Sequence, residues 1–155
     1  MPMTATTYEA LPHRSYLKKH MTQTHAHSMA WMAPLGRFLF SLMFVISGIS
    51  HFSAKSIQMA ASQGVPMANI LVPLSGAMAI IGGLSIILGY KARYGAALII
   101  LFLLPVTFMM HNFWTPTDPN QVAMQMAHFM KNVSMIGGAM MIAYFGSGSF
   151  SLDRR

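Results

Sequence analysis

The sequence contains no cysteine and very few charged residues. Of its 155 residues, none is Cys and only 8% are Asp, Glu, Lys or Arg, whereas a soluble globular chain carries about 25% charged residues. Without thiols the chain cannot form a disulfide scaffold, a cysteine metal site or an iron–sulfur cluster. With so few charges it also lacks the groups that cover the surface of a soluble domain.

Apolar residues, in contrast, are abundant. They make up 54% of the chain, and the mean hydropathy is +0.49. This composition excludes intrinsic disorder for the bulk of the chain, because disorder requires low hydrophobicity. The net charge of +7 does not indicate a nucleic-acid partner, since no basic stripe interleaves with aromatic residues. The class that remains is an integral membrane protein whose partner is the lipid bilayer.

Four apolar runs are long enough to cross a bilayer, which requires about 20 residues. The predicted spans are residues 34–52, 67–89, 94–113 and 126–145. They predict an all-α fold, an integral membrane four-helix bundle. A small-residue stripe in the second span, formed by Ser75, Ala79 and Gly83, favours close crossings with the third or the fourth span.

The spans divide the chain into a transmembrane domain, residues 33–146, and two tails. Residues 1–32 are predicted to form a polar N-terminal tail, and residues 147–155 a short C-terminal one. The predicted topology places eight basic residues on the side of the membrane where both tails lie. Only Lys55 and Lys131 lie on the opposite side. The eight are Arg14, Lys18, Lys19, Arg37, Lys91, Arg93, Arg154 and Arg155. Because basic loops remain in the cytoplasm, both termini are predicted to be cytoplasmic in a bacterial inner membrane.

Two cations lie inside predicted spans, and one carboxylate marks the start of the last helix. Arg37 and Lys131 are each close enough to a span end for the side chain to reach the interface. Asp118 followed by Pro119 is typical of an N-cap and a first helical position. The last helix is therefore expected to begin before its span and to present one polar face, formed by Gln121, Gln125, His128 and Asn132.

Three histidines outside the tail are placed at one membrane face by this topology. His51 ends the first span, His111 ends the third and His128 opens the fourth. Polar groups at membrane depth usually face the bundle interior or a watery cavity. We therefore predict that the three histidines converge with Lys131 in one cavity. The full set of candidate ligand-binding residues is His51, His111, Asn112, Trp114, His128, Lys131 and Asn132.

Three interpretations of this set remain open. The residues could be interfacial anchors and inter-helix hydrogen bonds. They could form a site for a small ligand with a polar head, such as a quinone. The three histidines could also hold zinc or copper, although no metal is predicted, because the 17 methionines that could supply soft ligands are spread over the whole chain.

Several motifs, in this order, resemble the DoxX family of small bacterial inner-membrane proteins. The resemblance spans residues 34–155 and implies four membrane helices. Some relatives are linked to redox systems, among them the membrane subunit of a thiosulfate:quinone oxidoreductase. Two positions depart from the family's pattern, since Ala79 stands where many members have an acid and His51 where many have Lys. The motifs include Gly36-Arg37-Phe38, Ser47-Gly48-Ile49-Ser50-His51-Phe52, Gly64-Val65-Pro66, His111-Asn112-Phe113-Trp114 and His128-Phe129-Met130-Lys131-Asn132.

Two functions from different classes follow. The first is a redox-linked membrane protein that binds quinone or serves as the membrane subunit of an oxidoreductase. No flavin, haem or nicotinamide motif is visible, so its electrons would come from a partner oxidoreductase. The alternative is a non-catalytic scaffold for envelope homeostasis, which the lack of acidic residues within the spans favours. A transporter is a third option, for which a homo-oligomer would supply eight helices.

Overall fold

A computed structural model describes residues 29–153, and all the regular structure within that range is helical. This confirms the all-α membrane bundle, although the predicted count of four helices is not exact. The described chain forms five helices: α1 (Met32–Ser50), α2 (Ala54–Ser62), α3 (Ala68–Leu88), α4 (Ala92–Met110) and α5 (Pro119–Phe145). The predicted N-terminal tail, with its basic residues, lies almost wholly outside the described residues.

The additional helix is the short α2, in a stretch that the sequence assigned to a loop. Ser53 caps it, because its hydroxyl accepts a hydrogen bond from the backbone N–H of Ser56 at 3.2 Å. Its buried Ala60 packs against Ala68 and Val72 of α3. With nine residues, α2 is too short to cross a bilayer, and it covers one end of the bundle instead.

Three helices, α1, α3 and α4, are long and apolar enough to cross a membrane. The predicted fourth span lies within α5, which has 27 residues but does not meet the same hydropathy criterion. The polar side chains of His128, Lys131 and Asn132 interrupt its apolar sequence. Its start is as predicted, since the carboxylate of Asp118 accepts hydrogen bonds from the backbone N–H groups of Asn120 and Gln121 at 3.4 and 3.3 Å.

Helix α3 lies at the centre of the bundle, between α1 and α4, and α5 packs on α4. Glycines set the closest approaches. A Cβ atom at Gly76 of α3 would lie 2.7 Å from the carbonyl oxygen of Gly48 on α1, and one at Gly82 would lie 2.9 Å from that of Gly95 on α4. The predicted crossing with the third span is present, but Gly82 makes it and not the stripe of Ser75, Ala79 and Gly83. The other close crossing is with the first span, and there the predicted small residue Gly83 faces Val45 of α1.

Arg37, predicted to extend its side chain to the membrane interface, is buried within the protein. Only 6% of it is exposed. Its guanidinium donates to the backbone carbonyl of Ser147 and, at 2.6 Å, to that of Phe150. The physical reason is that the chain after α5 folds back over the start of α1, and its carbonyl groups provide the partners that a buried cation requires.

The same segment also contacts the turn between α3 and α4. The backbone N–H groups of Leu152 and Asp153 donate to the carbonyls of Leu88 and Gly89 at 3.2 and 2.9 Å. In return, the Asp153 carboxylate accepts hydrogen bonds from the backbone N–H groups of Lys91 at 2.8 Å and Ala92 at 3.4 Å. Residues 147–153, expected to be part of a tail, are therefore docked on the helices.

Candidate functional site

The residues predicted to converge are divided between two places at one end of the bundle. His51 lies in a cavity formed with α2, α3 and α4. His111 and His128 form a separate pair at the end of α4 and on α5. The prediction that all of them share one cavity with Lys131 is therefore wrong for His51. His51 instead faces α2, α3 and α4, while the ring of His128 on α5 meets that of His111 at the end of α4; the sequence pattern could not reveal this division.

The His51 cavity has a volume of about 410 Å³ and mostly apolar walls. Its polar lining consists of His51 and three serines. This composition is typical of sites for organic ligands, in which a few polar groups orient a molecule held by apolar contacts. The main apolar walls are Met59, Val65, Leu71, Met78, Phe102 and Met109.

The hydrogen bonds of Ser75 determine the tautomer of His51. The Ser75 hydroxyl donates its single hydrogen to the carbonyl of Val72 at 2.7 Å. It also lies 3.0 Å from Nδ1 of His51, and in that contact it can only accept. We infer that Nδ1 carries the hydrogen, which leaves Nε2 of the neutral ring as a hydrogen-bond acceptor.

Burial keeps this imidazole neutral. Desolvation lowers the pKa of His51, because removing water disfavours the charged form. The ring also packs against Phe102, with 5.7 Å between the two ring centroids. At neutral pH the cavity thus presents an acceptor nitrogen beside an aromatic ring, and it contains no acidic residue.

The crossing of α1 and α3 sets the position of His51. A Cβ atom added at Gly76 would lie 2.7 Å from the Cβ atom of His51, so only a glycine lets the two chains come this close. Ser75, the neighbour of Gly76, then lies beside the imidazole. Ser75 was predicted only as part of a packing stripe, and its contact with His51 has no local signal in the sequence.

The second group joins α4 and α5. The rings of His111 and His128 lie with 5.1 Å between their centroids. Nδ1 of His111 donates to Oε1 of Gln125 at 2.9 Å, which leaves Nε2 of the neutral ring as an acceptor. Burial is the largest influence on the pKa of His111 and lowers it; the Gln125 hydrogen bond raises it, and the charges of His128 and Lys131 lower it further.

The remaining predicted residues lie on the same two elements, the end of α4 with the loop after it and α5. Trp114 is exposed, and its ring contacts Phe113 and Phe129 with centroid distances of 5.1 and 6.0 Å. Asn132 is buried on α5, with 4% exposure, and Asn112 is half-buried at the end of α4. These residues form an aromatic and polar end of the bundle and do not line the His51 cavity.

The three-histidine arrangement that a metal ion would need is not formed. Within residues 29–153, no group of three or more His, Asp or Glu side chains is placed to hold a metal ion. The separation of His51 from His111 and His128 accounts for this, because two histidines without a carboxylate are too few ligands for a tetrahedral site.

The comparisons with known proteins agree on one family. The DoxX family model matches residues 29–112. Inner membrane protein YphA of Escherichia coli K12 is 32% identical over 123 residues, which cover 78% of this chain and 87% of that protein. Inner membrane protein YqjF of the same organism is 28% identical over 122 residues, covering 77% and 88%.

A more distant similarity extends to a eukaryote. The Surfeit locus protein 4 homolog of Schizosaccharomyces pombe is 26% identical over 93 residues, which cover 59% of this chain and 30% of that protein. No solved structure matches significantly.

Proposed function

The chain belongs to the DoxX family of integral inner-membrane proteins, and from this premise we propose that it binds the head group of a membrane quinone in the His51 cavity. In this role it is a redox-linked protein that presents the ligand to a partner oxidoreductase. The partner is required because the chain has no motif for a flavin, haem or nicotinamide.

The observation that carries the proposal is one polar pair in a mostly apolar cavity of about 410 Å³. The His51–Ser75 pair gives a quinone ring a single polar anchor, and Phe102 offers an aromatic face next to it. Aromatic rings favour offset or edge contacts of this kind.

The cavity is also accessible from the side that lipid covers. Leu74 of α3 and Leu101 of α4 line it, and they are 53% and 58% exposed. Both belong to helices long and apolar enough to cross a membrane. A ligand dissolved in the bilayer can therefore approach between α3 and α4, and an isoprenoid tail can remain among the lipid chains.

The hydrogen bond that Nε2 of His51 can form favours a quinol over a quinone as the ligand. Nε2 of His51 is an acceptor, so it pairs with the hydroxyl group of a quinol and not with the carbonyl of a quinone. We expect the quinol to bind more tightly than the quinone at neutral pH.

The charge distribution supports an orientation for the cavity. Arg37, Lys91 and Arg93 lie at the end of the bundle on which the C-terminal segment docks, and basic residues favour the cytoplasmic side. We propose that both termini are cytoplasmic and that the His51 cavity is near the outer face. Reporter fusions after residue 155 and in the Asp118 loop test this, and an externally active C-terminal fusion would contradict it.

Ligand titration of the purified protein tests the proposed function. His51→Phe keeps a ring in the cavity but removes the acceptor, and we expect it to weaken quinol binding about tenfold, as loss of one hydrogen bond does. The matched control is His128→Phe, at the same end of the bundle but outside the cavity. If the parent protein binds neither quinol nor quinone, the non-catalytic scaffold is the better account.

A further inference from the structure

A second cavity lies at the opposite end of the bundle from His51, where the C-terminal segment meets the helices. It has a volume of about 270 Å³. The first turn of α4 forms one wall, the end of α5 another, and the chain that folds back after α5 the third. Its side chains are Lys91, Arg93, Tyr94, Phe145, Ser147 and Asp153.

The electrostatics of this cavity favour an anion. The single carboxylate in it belongs to Asp153, and both of its oxygens accept hydrogen bonds from the backbone at the start of α4. With two cations, Lys91 and Arg93, and one carboxylate, the side chains that line the cavity carry a net charge of +1. The chain has only two other acidic residues, Glu9 and Asp118, and Asp118 caps α5 at the other end of the bundle.

The guanidinium of Arg93 lies beside a glycine with an unusual backbone conformation. Gly146 has φ of +82°, a left-handed conformation that side chains disfavour. A Cβ atom at this position would lie 3.4 Å from Nε of Arg93. The guanidinium therefore lies in van der Waals contact with the turn that follows α5, where both residues line the cavity.

We propose that this cavity binds the phosphate of an anionic phospholipid. A guanidinium is a planar fork of donors that matches phosphate oxygens, and the Lys91 ammonium adds a second positive charge. Basic pockets at the ends of membrane helices bind anionic headgroups in this way. Inorganic phosphate shares that chemistry, but the cavity offers more than charge.

The aromatic walls favour a lipid over a soluble phosphate. Tyr94 and Phe145 line the cavity and are 74% and 66% exposed. Both are close to a helix end, Tyr94 to the start of α4 and Phe145 at the last residue of α5. Aromatic side chains at such positions lie among headgroups and upper acyl chains, so they would contact the glycerol and chain of a lipid held by Arg93.

Native mass spectrometry and thermal unfolding in neutral detergent test this proposal. Phosphatidylglycerol and phosphatidylcholine with identical acyl chains are added to the full-length protein. We expect phosphatidylglycerol to be retained and to raise the Tm more than phosphatidylcholine does. Arg93→Gln should weaken its retention about tenfold, while Lys55→Gln, which removes a cation at the other end of the bundle, should leave retention unchanged.

Three results would overturn the proposal. The first is equal retention of phosphatidylglycerol by the parent and by Arg93→Gln. The second is equal retention of the two lipids by the parent. The third is displacement of phosphatidylglycerol by excess inorganic phosphate, which would assign the cavity to a soluble anion. If Arg93→Gln does not fold, as judged by circular dichroism, Lys91→Gln replaces it with the same expected loss. None of these results depends on quinone binding.

Discussion

The carboxylate of Asp153 accepts a hydrogen bond from the backbone N–H of Lys91, 62 residues earlier in the chain, at 2.8 Å. Lys91 is the N-cap residue of α4, but its own side chain does not cap the helix. The start of α4 therefore takes its cap from the far end of the sequence. This contact joins the last described residue to the turn between α3 and α4 at one end of the bundle.

Replacing Asp153 by Ala should destabilise the protein by about 1 kcal/mol, the usual cost of losing an N-cap. The expected result is a lower Tm in detergent, measured by circular dichroism. Leu152→Ala is the matched control, because Leu152 is 63% exposed. Equal Tm values for the two variants would show that the carboxylate does not cap α4 in solution.

Replacing Arg37 by Leu should release the segment after α5. The variant leaves the carbonyls of Ser147 and Phe150 without their charged donor, and a hydrogen bond to a charged group contributes about 2 kcal/mol. Limited proteolysis should cut residues 146–153 faster than in the parent. Lys55→Leu removes a cation that makes no such contact and should be cut like the parent. If the Arg37 variant resists as well, the contacts of Leu152 and Asp153 with the turn between α3 and α4 are sufficient to hold the segment.

The sequence predicted the membrane helices well, because their signals are local. The bounds of α1, α3 and α4 agree with the predicted spans to within a few residues, and Asp118 caps α5 as its position before Pro119 indicated. Apolar run length and capping chemistry act over one or two turns, so a single sequence contains enough information to place them.

The features that the sequence missed depend on contacts between distant segments. Arg37 resembled a residue that reaches the interface, because nothing near it in sequence showed that carbonyls from residues 147 and 150 would surround it. The short α2 has only nine residues, too few for a search based on the length of apolar runs to detect. The sequence revealed neither α2 nor the α1–α3 crossing. For that reason it could not show that His51 lies in a different place from the His111–His128 pair.

Gly76→Ala should disturb the His51 site more than it disturbs the rest of the fold. The new Cβ atom would lie 2.7 Å from the Gly48 carbonyl oxygen and 2.7 Å from the Cβ atom of His51, and overpacking of this kind costs about 1–3 kcal/mol. We expect a lower Tm and weaker quinol binding. Gly36→Ala on α1 is the control, because nothing lies within 4 Å of its Cβ position. Equal Tm values for Gly76→Ala and Gly36→Ala would contradict the close α1–α3 approach at Gly76.

The partly buried histidines His51 and His111 should make stability fall on acidification. The pKa values of His51 and His111 are lowered in the folded protein, in both cases chiefly by burial, so between the folded value and about 6.5 the unfolded chain binds more protons. Their stabilising contribution is therefore complete above about pH 6.5 and is lost as the pH falls from there through the folded pKa.

A His51→Asn/His111→Asn double variant removes both titrating groups, while an amide nitrogen in each can still donate to Ser75 or Gln125. Its Tm should depend less on pH than the Tm of the parent between about pH 7 and pH 5, the range in which an unperturbed histidine titrates. Parallel curves for parent and variant would show that neither imidazole loses proton affinity on folding. Quinol binding by the parent should weaken over the same range, because protonation of His51 converts Nε2 from an acceptor into a donor.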